Sequence, residues 1–141
     1  MRNARSVAGL VGLAFVVIGV LGFIPGVVSH YGELRWWRTG SGAELFGLFG
    51  TSIFHNLLYV GLGIVGLVAA RSPAGARAYL TGGGVLYVAL GVYGLLIDET
   101  GSANVFPVNR ADDWLHLGLG VAMVYAGLAV TLAAPRPAAS T

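Results

Sequence analysis

The residues of this chain that can do chemistry fall in a few short stretches. In "NRADDWLHLGLG", residues 109 to 120, two adjacent carboxylates, Asp112 and Asp113, precede His116. On a helix, Asp112 and His116 are i, i+4, and Asp113 and His116 are i, i+3. Either acid is then placed to accept a ring N–H and fix the imidazole tautomer, as supporting carboxylates do for metal-ligating histidines. In "FHNLLY" (Phe54 to Tyr59), His55 and Tyr59 share a helix face, with Asn56 between them. The third histidine, His30, follows the first apolar run. Three readings are open. The histidines hold a haem or a divalent metal, with His30 or a carboxylate supporting. The same residues, with Tyr87 and Tyr93, line a pocket for a quinone or a lipid headgroup. Or the acids cap a helix and complement its dipole, and the histidines bond carbonyls at an interface. The cofactor, if there is one, is not identified by these residues.

Other chemistries are excluded. The chain has no cysteine, which removes disulfides, thiolate metal sites and cysteine nucleophiles. It has no lysine and so no Walker loop; "TGGG" (Thr81 to Gly84) opens an apolar run rather than following a strand. "HNLLY" lacks the glutamate and second histidine of a metalloprotease helix, and no serine sits in a nucleophile elbow. No residue is assigned a catalytic role. The eight basic residues, all Arg, are scattered over short segments and form no stripe that tracks nucleic acid.

The elements that position the polar residues are apolar. Of 141 residues, 56% are hydrophobic and 10% charged, against about a quarter charged in a soluble domain. That is too few charges to coat a globule in water. Four uncharged runs, near residues 7–28, 52–70, 79–97 and 114–134, each approach the ~20 residues needed to cross ~30 Å of hydrocarbon. The first is too long for a signal-peptide core, and "FIPG" is a poor cleavage site. Arg2, Arg5, Arg71, Arg77 and Arg136 flank the runs on one side, with no acid among them. The other side holds Arg35, Arg38 and Arg110 together with all six acids (Glu33, Glu44, Asp98, Glu99, Asp112 and Asp113), and with Trp36, Trp37 and Trp114. The positive-inside rule and the aromatic belt both put the two termini in the cytoplasm. Ser102 then faces outward. "SGAE" (Ser41 to Glu44) has capping-box spacing and predicts that helix two starts in the interface. "NRAD" predicts an Asn109 cap on helix four. "RSPAGAR" (Arg71 to Arg77) predicts a tight inner turn, and residues 135–141 a frayed tail.

The chain also aligns with itself. "GLAFVVIGVLGFI" (Gly12 to Ile24) lies over "GVLYVALGVYGLL" (Gly84 to Leu96), pairing Gly12 with Gly84, Phe15 with Tyr87 and Gly19 with Gly91. "NLLYVGLGI" (Asn56 to Ile64) lies over "DWLHLGLGV" (Asp113 to Val121), pairing Tyr59 with His116. Glycines recur at sevenfold spacing: Gly12 and Gly19, Gly84 and Gly91, Gly120 and Gly127. In lipid, small residues on one face permit close helix approach, which makes these the expected packing positions.

The elements "GFIPG", "FHNLLYVGLGIVGL", "YLTGGGVLYVALGVYGL" and "NRADDWLHLGLGVAM" resemble a bacterial four-helix membrane family known as domain of unknown function 4383. The resemblance implies a four-span integral membrane protein and carries no activity. In that family the helix-two motif commonly reads His-Asn-Leu-Leu-His; here Tyr59 stands at the second histidine. A haem held by the Tyr59 and His116 positions is therefore not what this member implies.

The expectation is a single all-α domain: a four-helix transmembrane bundle of two parallel-repeat helix hairpins, both ends cytoplasmic, multi-pass in a bacterial inner or plasma membrane. Its expected role is non-enzymatic, as an accessory subunit of other membrane proteins or a self-associating bundle in contact with lipid. The alternative is a haem-, metal- or quinone-binding protein with its site near the outer leaflet around His55 and His116.

Overall fold

Four helices carry most of the structure, a computed structural model that describes residues 4–37, 41–97 and 109–132. They are α1 (Ala4–Leu21), α2 (Ile53–Ala69), α3 (Pro73–Leu96) and α4 (Arg110–Leu132). Helices α1 and α3 are long and apolar enough to cross a bilayer, and α2 is a shorter apolar helix. Arg2, Arg38, Asp98, Glu99, Ser102, Arg136 and the tail over 135–141 lie outside the described residues.

Caps set the helix starts. Ser52 Oγ accepts from the His55 amide at 3.1 Å and begins α2. Ser72 Oγ accepts from the Gly75 amide at 3.0 Å, with Pro73 in the first turn, where a missing N–H costs nothing. The expected inner turn over Arg71 to Arg77 is thus confined to residues 70–72. At α4, the Asp112 amide donates to Asn109 Oδ1 and the Asn109 amide donates back to Asp112 Oδ2, both at 3.0 Å. This reciprocal pair satisfies two amides at the helix start.

Between α1 and α2 the structure departs from the sequence-based expectation. The first run does not stay helical to Val28. After Leu21 the Phe23 amide donates to the Val20 carbonyl and the Ile24 amide to the Leu21 carbonyl, both at 3.0 Å, which tightens the chain. Pro25 and left-handed Gly26 (φ 92°) then turn it away. "SGAE" does not open a helix either, because Ser41 Oγ donates to the Thr51 carbonyl at 2.9 Å. A small antiparallel sheet forms instead, from β1 (Val28–Ser29), β2 (Glu44–Leu45) and β3 (Phe49–Gly50) in that order. Val28 sits opposite Leu45, and Leu45 opposite Phe49. The chain is therefore mostly helical rather than all-helical. The β2–β3 turn places Phe46 (φ 56°) and Gly47 (φ 66°) in the left-handed region. Gly47 adopts it freely; for Phe46 it costs roughly 1–2 kcal/mol.

Helix α1 packs along α2, and α3 along α4, each through facing glycines. A Cβ on Gly12 would lie 2.8 Å from the Gly63 carbonyl, and one on Gly84 would lie 2.7 Å from the Gly120 carbonyl. Cβ atoms on Gly19 and Gly91 would meet the Asn56 and Asp113 carbonyls at 2.6 and 2.8 Å. Gly22 leaves room for the Asn56 side chain, Gly94 for that of Asp113, and Gly127 for Thr81. The two pairs join through Phe15, Tyr59, Leu80, Tyr87 and Met123, all buried. Large apolar side chains point outward from every helix: Leu13 and Val17, Ile64 and Val68, Val85 and Leu86, Val121 and Leu128. Glycines and a few polar side chains occupy the close helix contacts beside the large core residues, and many large apolar side chains are left on the outside of all four helices.

Candidate functional site

Each helix contributes one aromatic or imidazole ring to a buried cluster: Phe15 from α1, Tyr59 from α2, Tyr87 from α3 and His116 from α4. Phe15 stacks on Tyr87 with centroids 5.4 Å apart and packs obliquely on Tyr59 at 5.6 Å. His116 meets Tyr87 edge-on at 5.0 Å. His55 stacks on Tyr59 at 4.7 Å, and its ring centroid lies 6.5 Å from that of His116. The structure thus brings His55, Tyr59 and His116 together. His30 is not with them; it is exposed, in a left-handed conformation (φ 53°) ahead of the short 3-10 turn Tyr31–Glu33.

The acids go elsewhere than toward His116. Asp112 is buried, and its Oδ2 accepts from the Asn109 amide at 3.0 Å and the Gly50 amide at 3.2 Å. It therefore ties β3 to the start of α4. Asp113, fully buried beside Gly94, lies 3.8 Å from the Arg110 guanidinium. His116 Nδ1 is buried with no hydrogen-bond partner. Asp112 takes the Asn109 amide because that N–H is unmet at the helix start, where the positive end of the dipole also favours a carboxylate. Asn56 is fully used: Nδ2 donates to the Gly22 carbonyl at 2.7 Å, and Oδ1 accepts from Thr51 Oγ1 at 2.6 Å. It joins the end of α1 to the start of α2.

Beside this cluster, α1, α4 and the β2–β3 hairpin enclose a cavity of about 160 Å³, with Tyr59 and Asp112 on its wall. The hairpin residues Leu45, Phe46, Phe49, Gly50 and Thr51 that line it were not among the candidates read from the sequence. Their signal is the alternation of glycine with large apolar residues in "LFGLFG", which marks tight turning rather than a helix start. Among the described residues no group of three or more His, Cys, Asp or Glu side chains converges to hold a metal ion.

The sequence matches the family described as Domain of unknown function (DUF4383) over residues 5–129. The chain belongs to this family. The family match spans all four helices, the hairpin and the ring cluster, so these are features of a DUF4383 domain rather than of an appended segment. No curated protein and no solved structure matches the chain.

Proposed function

We propose that this DUF4383 chain is a non-enzymatic membrane protein of four spans, both termini cytoplasmic, acting as an accessory subunit or self-associating bundle. The observation that carries the reading is the apolar outer surface of all four helices. Glycine and alanine face inward where backbones touch, while Leu, Val and Ile cover the outside of all four helices. Lipid tails make such a surface stable, and close backbone contact replaces hydrophobic burial as the source of helix association. The two helix pairs form an internal repeat: Gly12 on Gly63 matches Gly84 on Gly120, and Asn56 in the Gly22 niche matches Asp113 in the Gly94 niche. Phe15 and Tyr87, equivalent positions, stack where the pairs meet. The pairs run parallel and are related by an axis along the membrane normal.

The test is gentle extraction from native membrane and mass analysis of what elutes. The expected result is a second copy or another membrane subunit in the same particle; a stable monomer with no companion refutes the accessory role. A second reading, ligand binding at His55 and His116, is favoured by one observation: a buried imidazole nitrogen, His116 Nδ1, with no partner. An absorption spectrum with elemental analysis of the same sample decides it for haem and metal. Neither a Soret band nor a stoichiometric metal leaves only an organic ligand for that site.

A further inference from the structure

Under the β2–β3 hairpin, the cavity of about 160 Å³ is walled by Phe15 and Ile18 of α1, Leu115 and Leu119 of α4, and Phe46 and Phe49 of the hairpin. Its charged wall residue, Asp112, has Oδ2 already engaged by the Asn109 and Gly50 amides. Thr51 Oγ1, also on the wall, donates to Asn56 Oδ1, and the surface that faces the space is almost wholly apolar. An apolar space of this size is large enough for a group about the size of benzene. A second observation stands at its rim. Phe46 lines the cavity and is the most exposed residue of its wall, at 60%, and it holds a left-handed backbone conformation that an aromatic residue rarely adopts. Strain of this kind persists where the surrounding structure has a use for the side chain it positions.

Resting on the membrane-spanning reading above, we propose that this cavity holds the end of one acyl chain of an outer-leaflet phospholipid, with Phe46 packed against the chain where it enters. The exposed residues of its wall are Phe46 of the hairpin and Leu115 of α4, so the cavity opens toward the outward face of α4, which contacts lipid on that reading. The occupant reaches it sideways from the bilayer and needs no aqueous entrance. Inside, it packs against Phe15 and Tyr59, and so reaches the rings that join the two helix pairs.

The test uses the full chain in phosphatidylcholine vesicles doped with a phosphatidylcholine that carries a diazirine near the end of one chain. After irradiation, adducts are mapped by mass spectrometry. The expected pattern includes the inward residues Phe15 and Tyr59 as well as the outward Val121 and Tyr125. Leu119→Trp, which fills the cavity, is expected to lose the inward adducts and keep the outward ones. Phe49→Ala, which widens it, is expected to increase the inward adducts, so a folding defect in the first variant does not end the test. Outward adducts alone overturn the acyl-chain site while leaving the spans intact. So do adducts confined to Phe46 and Leu48, which mean that only the hairpin tip meets lipid. Inward adducts from a free diazirine fatty acid but not from the phospholipid overturn the choice of occupant. No adducts anywhere overturn the spans as well.

Discussion

His116 and Asn56 are both buried polar side chains in the helix cluster, and they stand in opposite energetic positions. Asn56 has both ends of its amide bonded, to the Gly22 carbonyl and the Thr51 hydroxyl. His116 has a buried Nδ1 with nothing to bond. An unmet buried polar atom costs about 1–3 kcal/mol, and removing one side of a satisfied pair costs a similar amount. His116→Phe keeps the edge-on contact with Tyr87 and removes the unmet nitrogen. It is expected to leave resistance to unfolding in detergent unchanged or higher. Asn56→Ala, which orphans the Gly22 carbonyl, is expected to lower it by about 1–3 kcal/mol. Thermal unfolding followed by far-ultraviolet circular dichroism compares the two. Equal losses would show that the imidazole is held by a bond in the membrane, and with it the case for His116 as a site kept for function would fall.

At the scale of elements, glycine contacts and the hairpin turn carry separate predictions. A Cβ on Gly84 would sit 2.7 Å from both the Gly120 carbonyl and the Val124 amide nitrogen, so the backbones must separate to admit it. Gly82, two residues earlier on the same helix, would meet nothing within 4 Å. Gly84→Ala is expected to destabilise by about 1–3 kcal/mol, in the range of overpacked cores. Gly82→Ala is expected to be neutral or slightly stabilising, because alanine favours the helix. Similar losses for both would mean that glycine matters here for reasons other than close approach. In the hairpin, Phe46→Asn creates an Asn-Gly pair suited to two left-handed residues in succession. It is expected to slow hydrogen exchange at the Thr51 amide, which donates to the Ala43 carbonyl at 3.0 Å. Faster exchange would mean that the Phe46 ring stabilises the hairpin by more than its backbone strain costs.

The same comparison shows what was legible in the chain. Helix positions follow from apolar runs long enough to announce themselves, and the α4 start follows from the Asn109 and Asp112 spacing. Strands of two residues carry no alternation to read, so the sheet is invisible, and "SGAE" has cap spacing without a helix behind it. Helical spacing likewise tells which side chains share a face with His116, but not that the Asn109 and Gly50 amides take Asp112 and that Arg110 lies beside Asp113. Position along the chain groups His30 with the other histidines, but the turn at Pro25 and Gly26 takes it to the surface.

For the whole molecule, helix length and charge together decide how the chain would sit in a bilayer. Helix α2 has 17 residues, about 26 Å at ~1.5 Å per residue, and α3 has 24, about 36 Å. Against a hydrocarbon core of ~30 Å, the first pair is short and the second is long. The hairpin makes up the difference, since the Gly50 amide bonds Asp112 beside the first turn of α4. On the proposed four-span reading, irregular backbone at that depth is acceptable because the sheet packs against protein through Val28, Ala43 and Leu45. Glu44, Asp112 and Asp113 lie at this end and Arg71 and Arg77 at the other, which on the proposed four-span reading puts the hairpin outside. Two single cysteines in a chain that has none test the arrangement. Ser102→Cys lies in the segment between α3 and α4, and Ala74→Cys in the exposed first turn of α3 at the opposite end. An impermeant thiol reagent is expected to label position 102 in intact cells and position 74 only after lysis. The reverse pattern turns the molecule over in the membrane. Labelling of both from the same side means that α3 does not cross, and no four-span arrangement survives that result.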